Sequence, residues 1–382
     1  MKPRLYFDLR DILGAPARAL SAKQIFVMTA SLVVALAVFD LAFYLAHLVS
    51  GSNLGVVFDV YGLFPDPSAG LADPLAGPVL ILGMFGAVFV LMLGQTGVAA
   101  INVEQIRGNR FFSIKDAARF ALSRARTVFL CEIAIAAFVT FIVALFMLLG
   151  LFGRIPYLGE WLYSLFVVFP LYFIALFTVF IAMIALVSII LTPAIAAADR
   201  RGETFGLILE TFSTVIRQPL RWLGYTGYAL VTGKIASFVY AYFAFRSVQA
   251  IVFATDLTDG GRMRKLVASA LSHLPIRSDL FREALTVFPG VDWGISLLPF
   301  VRSGDSLASH VMAFMLFLIF ASVIGYFLCV VASAQAYGYV VIRYHKDGYR
   351  IDEEPPIGEP TPAGTPESAV NSTPNGLPSD PA

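Results

Sequence analysis

RGNRFFSIKDAARFALSRARTVFLCEIAIAAFVTFIVALFMLLG, residues 107–150, places side by side the two kinds of sequence that decide this fold. Up to Arg126 it carries six basic side chains: Arg107, Arg110, Lys115, Arg119, Arg124 and Arg126. From Val128 onward its one charged residue is Glu132. A helix needs about 20 apolar residues to cross a ~30 Å hydrocarbon core, so the second half reads as a transmembrane span and the first as its basic preface.

Five more runs qualify on the same criterion, giving spans over 25–50, 77–102, 128–152, 162–198, 223–254 and 307–342. The whole 382-residue chain agrees: it is 58% hydrophobic and 14% charged, with 34 Phe and a mean hydropathy of +0.78, whereas soluble domains carry about 25% charged residues. The sequence predicts an all-α polytopic membrane helix bundle, with about six transmembrane helices and in-plane amphipathic helices on the cytoplasmic side. Pro170 and Pro193 are expected to bound the fourth crossing, because proline removes a backbone donor and clashes with the preceding turn. The last run is too long for an upright crossing and must tilt, project or break.

Lys and Arg alternate between connections. Five precede the first span (Lys2, Arg4, Arg10, Arg18, Lys23), and none lies between the first two. Six follow the second span, one the third (Arg154), four the fourth (Arg200, Arg201, Arg217, Arg221), and Arg343, Lys346 and Arg350 the last. The positive-inside rule places both termini in the cytoplasm of a multi-pass cell-membrane protein, on this reading the bacterial inner membrane. The connection from Arg246 to Ser306 breaks the alternation with seven basic residues, but long loops translocate largely regardless of charge. No cleavable signal peptide is expected.

Residues 1–24 form an N-terminal amphipathic segment, with Leu5, Leu9, Ile12 and Leu13 as its stripe. Two further basic amphipathic helices are expected near 111–126 and 203–222, each with apolar residues at helical spacing. Spans one, three and five begin near residues 25, 128 and 223, which suggests three units of amphipathic helix plus transmembrane hairpin. Arg119, Arg126, Arg217 and Arg221 are candidate contacts for anionic lipid. The external insertion 255–306 predicts two helices, over 261–273 and 279–286 with Ser278 as cap, lying on the outer face. Segment 307–343 is the last span. The tail 344–382 is proline-rich and predicted disordered, and the Asn371 sequon within it reads as chance.

Ionisable groups inside spans are costly and mark candidate sites. Asp40 and Lys234 fall at helical depths of roughly 22 and 18 Å and are expected to pair in the bundle interior. Gln95, Glu132 and Gln335 form a candidate intramembrane polar layer nearer the cytoplasm. Gly83 with Ala87, and Ala332, Ala334, Ala336 and Gly338, signal close helix approach. Cys131 and Cys329 sit in apolar runs without ligand spacing, and His47, His273, His310 and His345 are expected at different depths. No zinc motif, P-loop or nucleophile elbow is present, and residues 302–305 read as a turn. No catalytic residues, metal or cofactor are assigned, and an enzyme is not expected.

Thr192-Pro193-Ala194-Ile195-Ala196, leading into the amphipathic 203–222 block, is similar to the membrane regions joined to some glycerophosphodiesterases and to related uncharacterised six-span integral membrane families. The likeness covers roughly residues 103–245 and implies a membrane fold alone, since no hydrolase residue here matches. The insertion and the proline-rich tail depart from that pattern. The first functional expectation is a non-enzymatic integral membrane protein that organises lipid or partner proteins. Its partners would be membrane lipids and a protein bound through the tail or cytoplasmic helices, with no nucleic acid. The alternatives are an ABC-type exporter permease, which the topology resembles, or a secondary transporter using Asp40 and Lys234.

Overall fold

In a computed structural model, residues 5–63, 65–66, 73–151, 155, 157–162, 164, 168–274, 279–296, 298 and 306–357 are described. Arg154, Ser278, the 302–305 turn and the sequence after 357 lie outside them. The described chain is α-helical, without a strand. Six helices are long and apolar enough to cross a membrane: α3 (Ala22–Val49), α5 (Ala76–Arg107), α6 (Ile114–Gly150), α8 (Val168–Ala198), α10 (Pro219–Asp259) and α14 (Leu307–Asp347). The protein is thus a multi-pass membrane helix bundle. Between these run α1 (Leu9–Leu13), α2 (Ala15–Ala19), α4 (Leu54–Tyr61), α7 (Leu158–Leu162), α9 (Thr204–Arg217), α11 (Arg262–His273), α12 (Asp279–Val287) and α13 (Pro289–Ser296).

The last helix is the central one. At ~1.5 Å per residue, unbroken α14 is about 60 Å long, and it packs against α2, α3, α5, α8, α10 and α11. Every side chain from Cys329 to Ile342 on α14 is buried, as are residues 94–104 on α5 and 191–198 on α8. These stretches are rich in Ala, Gly, Ser and Thr, which lets backbones approach closely where lipid tails supply no competing hydrophobic drive. A Cβ on Gly94 would collide with Ser31, one on Gly83 with Ala42, and one on Gly325 with Thr29. Of the small residues that signalled close approach, Gly83 thus meets α3, and Gly338 lies against Tyr225 of α10. We call this end, where Arg107, Arg200 and Lys346 gather, the basic end. Away from it the core divides into one cluster on α3–α5 and another around α10 and α14. There the outer parts of α6 and α8 carry exposed apolar side chains.

The three amphipathic prefaces are built in three ways. The first is two short helices docked on α14, not a surface stripe. Ile12, Ala15 and Ala19 are buried while Leu9 and Leu13 are exposed, and the hydroxyl of Tyr326 donates to the Pro16 carbonyl at 2.9 Å. The second is no separate in-plane helix: 114–126 forms the opening turns of α6, started by a Ser113–Asp116 capping box. The third, α9, stands alone because Pro219 opens α10 behind Gln218. Pro170 lies in the first turn of α8, where a missing donor costs nothing, and the helix runs on through Pro193 to Ala198.

The insertion is not a layer over the outer ends. Helices α11, α12 and α13 fold back between α10 and α14. The ring of Phe281 meets Phe320, and that of Phe288 meets Phe327 at 5.5 Å, halfway along α14. Gly290 then packs on Phe238, halfway along α10, and Gly294 on Phe245. So α12 descends beside α14 and α13 climbs beside α10. The physical reason is core size: some fifty residues cannot bury their apolar faces alone, whereas the cleft supplies Ala241, Phe245, Leu316 and Phe320.

Candidate functional site at the basic end

Two buried polar assemblies hold the basic end, and a cavity lies beside them. The first joins three helices. Gln24 Nε2 donates to Asn102 Oδ1 at 3.2 Å, Asn102 Nδ2 to Ser333 Oγ at 3.0 Å, and Ser333 Oγ back to Gln24 Oε1 at 3.3 Å. All three side chains are fully buried, on α3, α5 and α14. A closed ring satisfies each group, which makes burial of polar atoms tolerable.

The second is ionic. Arg107, 1% exposed, bonds Glu104 at 3.1 Å and the Glu354 carboxylate through Nε at 3.0 Å, and donates to the Ala198 carbonyl at 2.9 Å. Glu354 also receives Arg200 at 3.1 Å and the Tyr349 hydroxyl. Glu104 accepts the Ile357 amide at 3.0 Å. Glu354 follows the 3-10 turn Ile351–Glu353, so residues 348–357 form an ordered strap across the ends of α5 and α8. This corrects the expectation of disorder from residue 344 onward. It also moves Arg107 from a loop charge to a buried structural one.

Beside the strap opens a cavity of about 390 Å³, between the end of α8, α9 and α14, lined by Asp199, Glu203, Glu210, Tyr339, Arg343 and Tyr349 among others. Glu210 accepts from Tyr339 at 2.9 Å and pairs with Lys346 at 2.5 Å. Asp199 caps the turn into α9, accepting the Gly202 amide at 2.8 Å. Gly202 has φ +70°, and a Cβ there would collide with Arg124, whose guanidinium donates to the Asp199 and Arg200 carbonyls at 2.8 and 2.9 Å. The guanidinium of Arg343 rests on the Tyr349 ring at 4.1 Å.

Asp40 and Lys234 do not meet. Thr29 of α3 lies against Gly325 of α14, and Gln24 against Ser333. On the other side Gly233 of α10 lies against Phe327 and Val330, and Tyr240 against Ser322. Lys234 is therefore level with Phe327 and Asp40 with Met315, about 12 residues or ~18 Å of helical rise apart, with α14 between them. The expected pairing assumed that both helices start in one plane, but α10 begins roughly nine residues, ~13 Å, below α3. Lys234 is exposed, beside a groove of about 230 Å³ at the hairpin tip. Asp40 is part-buried, and neither makes an ion pair among the described residues.

Gln95, Glu132 and Gln335 form no layer. Gln335 donates to Thr226 at 2.7 Å, and Ser188 donates to Glu132 at 2.7 Å. Gln95 is buried with its Oε1 unpartnered among the described residues. Since Asn102 and Ser333 are level, Gln95 and Gln335 differ by about nine residues, ~13 Å. Arg119, Arg126, Arg217 and Arg221 are all exposed, and Arg217 approaches Asp347 at 3.9 Å. Against expectation, His273 and His310 stack at 4.1 Å, because α11 folds back onto α14.

Sequence reasoning missed Gln24, Asn102 and Ser333 because each sat at an assumed span end or among small residues. It missed Glu354 because the composition changes there. The available signal was amide and carboxylate side chains next to runs of Ala and Ser. Compared with protein-family models, curated proteins and solved structures, the chain has no match.

Proposed function

We propose that this is a non-enzymatic integral membrane protein that organises lipid, with its basic end in the cytoplasm and its proline-rich tail as an arm for a protein partner. The observation that supports it most is the sorting of arginines at the basic end. Arg107, Arg124 and Arg200 turn inward onto carboxylates and carbonyls, while Arg119, Arg126, Arg217 and Arg221 are left facing outward. Outward guanidinium groups near an inner leaflet each attract anionic lipid by about 1 kcal/mol. A lipid-organising role also suits a bundle whose axis is filled by α14. Secondary transport through Asp40 and Lys234 loses the pair on which it rested.

Reconstitution into vesicles with spin-labelled phosphatidylglycerol tests the reading. The quadruple change Arg119→Gln, Arg126→Gln, Arg217→Gln, Arg221→Gln should abolish most of the selectivity for the anionic lipid over phosphatidylcholine, and high salt should do the same to the unaltered protein. Equal selectivity in both proteins at low salt would sink the proposal.

A further inference from the structure

Inside the span of α6 one carboxylate stands without a cation. Glu132 is the one charged residue between Val128 and Gly150, and it forms no ion pair among the described residues. The Ser188 hydroxyl of α8 meets its Oε2 at 2.7 Å, but the same hydroxyl also lies 2.7 Å from the Ala185 carbonyl and has a single hydrogen to share between the two acceptors. The other carboxylate oxygen, Oε1, is buried and accepts from nothing among the described residues. The Thr192 hydroxyl, one turn beyond Ser188, is likewise buried without a hydrogen-bond partner among them, and it borders both the Glu132 carboxylate and the Cys131 thiol. Threonines elsewhere in these helices turn the hydroxyl onto the carbonyl four residues before, as Thr96, Thr178 and Thr211 do. Thr192, fully buried, does not. Pro193 brings no N–H, so the Ile189 carbonyl in the same turn also lacks its helical donor.

We infer that Glu132, Ser188 and Thr192 bind a monovalent cation, sodium, between α6 and α8. Buried oxygens without donors are costly inside a membrane, and one small cation serves several of them at once. Charge sets the valence. A single carboxylate balances one positive charge, whereas a divalent ion would leave a net charge in the span, and calcium takes about six to eight oxygens. A proton would serve one oxygen, while Glu132 Oε1, the Thr192 hydroxyl and the Ile189 carbonyl are three. The 2.7 Å between Ser188 Oγ and Glu132 Oε2 suits a small ion over a large one. Glu132 lies ~9 Å of helical rise past the exposed Arg126, so the ion has a short way to travel from the basic end. The inference goes beyond the lipid-organising reading and does not depend on it.

The full chain is purified into nanodiscs of phosphatidylcholine, which carries no net charge to hold the ion. Binding of radiolabelled sodium is measured by scintillation proximity, and the unfolding temperature is compared in sodium, potassium and choline chloride at equal ionic strength. The expected result is one saturable sodium per chain and a higher unfolding temperature in sodium than in the other two salts. Glu132→Gln should abolish both effects. Ser188→Ala, which lets the carboxylate turn, should weaken sodium binding about tenfold or more, since partners that orient a ligand contribute on that scale. Thr192→Val keeps the shape and the carboxylate and should weaken binding at least as much; it carries the test should Glu132→Gln fail to fold. Stability that varies with pH but not with sodium, with no sodium bound, would assign the site to a proton and overturn the inference. Equal sodium binding in wild type and all three variants would place the ion elsewhere and overturn it too.

Discussion

The two halves of α14 are held by opposite means. From Cys329 to Ile342 the helix is enclosed on every side, tied to α3 and α5 by the Gln24–Asn102–Ser333 ring and flanked by the Arg107–Glu354 cluster. From Leu307 to Phe320 it exposes Val311, Phe314 and Met315 and leans on the folded-back hairpin through apolar rings. Charge and amide networks fix geometry, because each buried group needs its partner in one place. Ring-on-ring contact is less particular about position. The basic end is therefore the rigid reference of the molecule, and the hairpin end is where parts can shift against one another.

The strongest way to break this contrast is Arg107→Met, which leaves Glu104 buried without a cation and Glu354 with Arg200 alone. Removing one partner of a buried ion pair costs about 3–5 kcal/mol, so thermal unfolding in detergent should shift down sharply, and an unchanged midpoint would show that the cluster holds nothing. Next come paired glycine changes. Gly94→Leu forces α3 and α5 apart and should cost roughly 1–3 kcal/mol of overall stability. Gly294→Leu should loosen only the hairpin, read as faster proteolysis within 262–296 with little change in the unfolding midpoint. Global destabilisation of equal size by both would erase the distinction. Asn102→Leu opens the amide ring and should cost ~1 kcal/mol, the usual scale of polar contacts between membrane helices. The smallest effect is expected for the double-mutant cycle of Asp40→Asn with Lys234→Gln. Groups ~18 Å apart should couple by less than about 0.5 kcal/mol, and a larger value would place them in contact after all.

Much of the fold was legible because lipid imposes a simple rule: backbone polar groups must be satisfied within the span, so apolar length reads directly as helix. The six crossings followed from that rule, helices 261–273 and 279–286 from their amphipathic patterning, and the close contact at Gly83 from small-residue spacing. Relative height did not. Nothing in the residues around Asp40 or Lys234 states that α10 starts lower than α3, and an error of nine residues separates a pair. Nor could hydropathy reveal that the insertion folds inward, since its amphipathic helices suit either a membrane surface or a cleft. The site was legible only in part. Arg343 was visible as one more basic residue after the last span, but its seat on the Tyr349 ring is a property of the folded neighbourhood.

That the central helix is also the last of the six to be made has a consequence for biogenesis. At synthesis rates of about 5–20 residues per second, the 231 residues between Asn102 and Ser333 take roughly 10–50 s to emerge. Through that interval Gln24 and Asn102 have each other but not their third member, and Arg107 waits longer still for Glu354. The nascent bundle is thus a hollow assembly whose keystone arrives at the end, and until then its earlier spans depend on the insertion machinery or on lipid to occupy the place that α14 will take.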